Sequence, residues 1–123
     1  AHYHELGAGM TFEAIRDSDG GAEMMFETQT RIGDGLAAVL DPPFDLTGHK
    51  KIRFSCEFDN PRDTTVGWGV GDQEMCIVFA FTDSPQVWSG GVPFEEPPGP
   101  GVDNNGVIEF NHDCISIAVD GTH

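Results

Sequence analysis

Apolar and polar residues alternate along much of this chain with a period of two, and helical spacing is nearly absent. In Ile52-Arg53-Phe54-Ser55-Cys56-Glu57-Phe58 every second residue is apolar, the pattern of a strand with one buried face and one wet face. Asp59-Asn60-Pro61-Arg62-Asp63 closes that strand with turn-forming residues. Thr64–Val70 reads as the next strand, with Trp68 between two glycines, and Gly71-Asp72-Gln73 turns the chain again. Met75–Phe81 is apolar at both parities. That predicts a strand central in a sandwich, or one whose second face lines a pocket. Further strands are expected at His2–Leu6, Met10–Ile15, Glu23–Thr28, Leu36–Leu40, Val107–Phe110 and Cys114–Val119. Thr11–Arg16 is the one stretch with any helical character, and it is short. Asp17-Ser18-Asp19-Gly20-Gly21 and Asp41-Pro42-Pro43 are turns. The stretch 84–105, rich in Pro, Gly and acids, predicts a long loop with a short strand around Gln86–Trp88. Short strands with turns about every 8–12 residues predict an antiparallel β-sandwich or barrel.

Composition narrows the class of partner. The chain has 123 residues, 38% of them hydrophobic, with nine Phe and two Trp, enough for one domain, 1–123, with a real core. Sixteen Gly and eight Pro suit a turn-rich β protein. A formal charge of −15 repels nucleic-acid phosphates and anionic membrane surfaces, so neither is an expected partner. No apolar run approaches the ~20 residues of a spanning helix, and no internal repeat is visible. The start at Ala1 rather than Met is read as a chain that has lost a leader, or as a piece of something larger.

Four features carry candidate chemistry. In His2-Tyr3-His4, residues i and i+2 of an extended segment point to one face. That sets two imidazoles side by side, as a metal pair or as plain surface histidines. In Glu74-Met75-Cys76, Met75 is either core or a soft thioether ligand, which selects copper and above all Cu(I). Cys56 and Cys76 each lie within a strong strand. If those strands are neighbours a disulfide is feasible, implying an oxidising compartment; otherwise they are two buried thiols of a cytosolic protein. The acidic clusters (Asp17 with Asp19, Asp41 with Asp45, Glu95 with Glu96, and Asp103) read as solvated surface. Asp17-x-Asp19-Gly20 shares the start of a calcium loop but lacks its downstream Glu. No GxSxG, P-loop, HExxH or CxxC occurs.

Taken together, His2-Tyr3-His4, then Arg53–Asn60, then Val66-Gly67-Trp68-Gly69, then Asp72-Gln73-Glu74-Met75-Cys76 resemble the copper type II, ascorbate-dependent monooxygenases. That family includes peptidylglycine α-hydroxylating monooxygenase and dopamine β-hydroxylase. Met75 follows His4 by 71 positions, close to the family spacing, and the resemblance covers roughly residues 1–82. It implies a jelly-roll β-sandwich corresponding to the family's second, C-terminal copper domain. His2, His4 and Met75 would hold one copper ion for O2 activation and C–H hydroxylation, with ascorbate as external reductant. It also implies a Cys56–Cys76 disulfide and a secreted or periplasmic location. The partners implied are O2, a small organic or peptide substrate, and an upstream three-His copper domain. This chain departs from the pattern in three ways. It has no three-His domain. It has no Arg before the HxH strand to grip a substrate carboxylate. It carries Phe79, with Ile77 nearby, where the peptide-amidating member has Tyr. Cys114 would pair upstream of Ala1. The alternatives are a secreted copper-handling module without catalysis, and a jelly roll that has kept the fold and lost the metal.

Overall fold

A computed structural model describes residues 2–29, 37–67, 69, 71–83, 86–91, 100–111, 113, 115–116 and 119–120. Their order is β1 (Gly7–Arg16), β2 (Ala22–Thr28), β3 (His49–Phe58), β4 (Ile77–Phe81), β5 (Gln86–Gly91), β6 (Val102–Asn104), β7 (Val107–Glu109), β8 (Ile115–Ser116) and β9 (Val119–Asp120). All pairings are antiparallel, and the described residues contain no helix. The all-β, antiparallel expectation therefore holds. No described helix is long and apolar enough to cross a membrane.

The first sheet runs β2-β1-β3. Its central strand buries Met10, Phe12 and Ala14, which stand directly across from Cys56, Phe54 and Ile52. The alternation read in β3 is realised from Ile52 to Glu57, with Ile52, Phe54 and Cys56 half-buried and Arg53, Ser55 and Glu57 exposed, while Phe58 at the strand's end is exposed as well. On the other face Arg53 donates to Glu13 at 2.8 Å, its partner across the ladder. Thr11–Arg16 is part of β1, because six residues between glycine-rich segments find their hydrogen bonds in two neighbouring strands rather than in a helix. The β1–β2 turn is closed by Asp19, which accepts from the Gly21 amide at 2.8 Å and from Arg16 at 3.0 Å. The Arg16 hydrogen bond, then that of Gly21, holds the Asp19 carboxyl below its ordinary pKa. The carboxylate is thus committed to the turn.

The second sheet has the order β4-β5-β8, with β9 also pairing β5. Here the expectation for Met75–Phe81 is corrected. The strand begins at Ile77 and lies at the end of its sheet, not in the middle. Val78 is buried, but Phe79 and Phe81 are 58% and 84% exposed. The second apolar face opens to solvent. Four other strands are also revised. Thr64–Val70 forms no strand in its described residues, and neither do residues 37–40. His2–Leu6 contributes a single bridge, His2 to Ile77. Cys114–Val119 resolves into the two-residue β8 and the start of β9, with Cys114 itself outside the described residues. Leu36, Trp68, Val70, Glu95 and Glu96 also lie outside them.

A hairpin, β6–β7, joins the end of the expected long loop to the expected strand Val107–Phe110. Asn105 and Gly106 make its turn with φ of 53° and 87°, the left-handed pair that Asn-Gly favours. Asp103 accepts from the Gly106 amide at 2.8 Å.

Cys56 and Cys76 form a disulfide, with Cα atoms 5.9 Å apart and a sequence separation of 20. It ties β3 of the first sheet to the residue leading into β4 of the second. Closing a loop of that length stabilises the fold by about 3 kcal/mol.

Candidate functional site

The N-terminal segment is tied to the second sheet at His2. The His2 amide donates to the Ile77 carbonyl at 2.8 Å, and the Ile77 amide returns the bond at 3.1 Å. Counting the antiparallel register on from that bridge sets Tyr3 across from Cys76, and His4 across from Met75. Burial follows the same parity. Tyr3 and Cys76 are buried, while His2, His4, Met75 and Ile77 are all half-buried. The two imidazoles thus stand on one partly open side of the segment, with Tyr3 turned inward between them. The two rings stand edge to face, with centroids 5.0 Å apart.

The neighbouring loop sets the orientation of His4. The Gln73 carbonyl lies 2.6 Å from His4 Nδ1. A carbonyl only accepts, so Nδ1 carries the proton and Nε2 of the neutral ring keeps its lone pair. A hydrogen bond of this kind at the far nitrogen is what ligating histidines ordinarily have. The Gln73 segment is itself fixed. Glu74 donates its amide to the Gly67 carbonyl at 2.9 Å and accepts from the Gly69 amide at 3.0 Å. The Gln73 side chain accepts from the Gly67 amide at 2.6 Å. Gly71 turns the loop with a φ of 72°.

Glu74 is the residue that sequence reasoning passed over. It is 7% exposed, and its carboxylate accepts from the His4 amide at 2.9 Å and from the Leu6 amide at 2.8 Å. Arg62 adds an outer strap, donating to the Asp72 carbonyl at 2.8 Å and to the Glu5 carboxylate. The Asp59 amide donates to the Leu6 carbonyl at 2.9 Å.

Among the described residues no three His, Cys, Asp or Glu side chains converge on a point that could hold a metal ion. The calcium reading gains nothing, since Asp19 serves its own turn and Asp45 accepts from the Thr47 amide at 2.9 Å. The set expected from the sequence is the mixed one of His2, His4 and Met75. Two imidazoles and one thioether suit copper and fit zinc or calcium poorly. Ile77, Phe79 and Phe81 continue the outward face from Met75. Comparison with protein-family models, curated proteins and solved structures finds no match.

Proposed function

We propose that this chain is a copper-binding domain of the copper type II, ascorbate-dependent monooxygenase kind, with His2, His4 and Met75 as ligands. Its two sheets would form the jelly-roll sandwich of that family's C-terminal domain. The observation that carries the reading is the pair of half-buried His2 and His4 rings, 5.0 Å apart, with His4 Nδ1 held at 2.6 Å by the carbonyl of Gln73, two residues before Met75. Copper bound there would supply one-electron chemistry and an open position for O2, with ascorbate as external reductant. The chain's own contribution is the ligand set. His4 would bind through Nε2, its tautomer already set. Met75 would favour the reduced ion. Ile77 and Phe79 would offer an apolar bed for the C–H bond of a small organic or peptide substrate. The disulfide supports a secreted or periplasmic location.

One observation favours a second reading, a copper-handling module that oxidises nothing. The exposed Phe79 and Phe81 leave the face beside the site open, whereas oxidative chemistry profits from excluding water.

Copper titration tests the ligand set. Met75→Ile is expected to weaken Cu(I) binding by about tenfold or more while changing Cu(II) binding far less, measured by competition with chelators of each ion. Equal Cu(I) affinity in the two proteins would remove Met75 from the set. Substrate-dependent oxygen uptake with ascorbate separates the enzyme from the binder.

A further inference from the structure

We propose that Glu74 is a positioning residue, whose buried carboxylate latches the segment His2–Leu6 onto the strand entry at 73–77 and so holds His4 in its working position. The latch stands on the structure by itself; its consequence for copper rests on the function proposed above.

The Glu74 carboxylate is almost wholly removed from water. Burial of an anion is costly unless strong hydrogen bonds replace the lost water. Glu74 makes two, one per oxygen, both from backbone amides of the same short segment. Hydrogen bonds to a charged acceptor are the stronger kind. The two donors, His4 and Leu6, bracket Glu5, so the carboxylate spans the turn in which the Gly7 amide donates back to the His4 carbonyl at 3.1 Å.

The consequence for His4 is specific. Its main chain is held by the Glu74 side chain and its ring by the carbonyl of the preceding residue, Gln73. Two adjacent residues thus fix where His4 stands and which nitrogen it presents. Met75 follows at once in the chain. One tripeptide, Gln73-Glu74-Met75, would orient one ligand and supply another. A ladder alone does not do this, because between His2 and Leu6 the only bridge to β4 is at His2. Without the latch the segment beyond that bridge keeps contacts that include the Gln73 carbonyl at the His4 ring, Arg62 at the exposed Glu5 and the Asp59 amide.

Glu74→Gln and Glu74→Ala separate the latch from a general role in folding. Gln keeps one acceptor oxygen and turns an NH2 toward a donor, so it satisfies one amide and not both. Ala satisfies neither. Hydrogen exchange in the metal-free protein is expected to speed up at the His4 and Leu6 amides by about tenfold in the Gln variant, and further in the Ala variant. Amides of Phe12 and Phe54 in the first sheet should be unchanged. Cu(I) affinity is expected to fall by about tenfold in the Gln variant, with copper stoichiometry kept. Unchanged exchange at His4 and Leu6 in both variants would overturn the latch. So would core amides that speed up equally, since Glu74 would then serve the whole fold. Faster exchange with undiminished Cu(I) affinity would overturn its positioning role. If the wild-type chain takes up no copper, the copper reading fails alone, and the exchange data still decide the latch.

Discussion

Tyr3 shows how one residue's packing can govern two others. It is 2% exposed, and by alternation its burial turns His2 and His4 outward together. The space for its ring exists because residue 7 is glycine. A Cβ there would stand 1.8 Å from Tyr3 Cδ2 and 2.3 Å from Cε2, and a rigid buried ring cannot step aside. Gly7→Ala is therefore expected to lower stability by about 1–3 kcal/mol, the usual cost of overpacking. It should also displace the N-terminal segment. Urea denaturation gives the first quantity, and the His2 and His4 ring resonances report the second. An unchanged midpoint with unshifted rings would mean that Tyr3 does not pack on Gly7.

At the scale of elements, the disulfide does what strand pairing does not. β3 belongs to the first sheet and β4 to the second, and no ladder joins them. The Cys56–Cys76 bond runs between them, one residue from Met75. Replacing both cysteines by serine is expected to cost about 3 kcal/mol, and dithiothreitol should destabilise the wild-type chain to a similar extent. Equal urea midpoints with and without reductant would show that the sheets hold together without the bond. The β6–β7 hairpin teaches a different lesson. Its second strand lies in the expected Val107–Phe110, whereas Val102–Asn104 falls in a stretch whose Pro, Gly and acidic residues argued for a loop. Three-residue strands with every side chain exposed leave almost no alternation to read.

Charge belongs to the whole molecule. Six Lys and Arg face 21 acids, and Arg16, Arg53 and Arg62 are each paired with a carboxylate. Most of the acids are left to repel one another across the surface. Raising salt from about 10 mM to about 150 mM shortens the reach of that repulsion to about 8 Å. The thermal midpoint is expected to rise by several degrees. A falling midpoint would mean that the few ion pairs outweigh the repulsion.

Alternation by itself determined β3 and the Met10–Ala14 stretch of β1, because a half-buried strand must place its apolar residues on one parity. It also set His2 and His4 on a common face, since i and i+2 in extended chain leave no other choice. Whether Cys56 and Cys76 could meet was left open by the residues alone, and the distance between their backbones decides it. Met75–Phe81 misled because apolar side chains at both parities do not say whether a second layer covers them; only the packing exposes Phe79 and Phe81. The latch was also out of reach. Glu74 and His4 lie 70 positions apart, and no local pattern signals that a carboxylate will accept two amides from a distant turn. Periodicity along the chain constrains what one segment does, while contacts between distant segments exist only once the chain has folded.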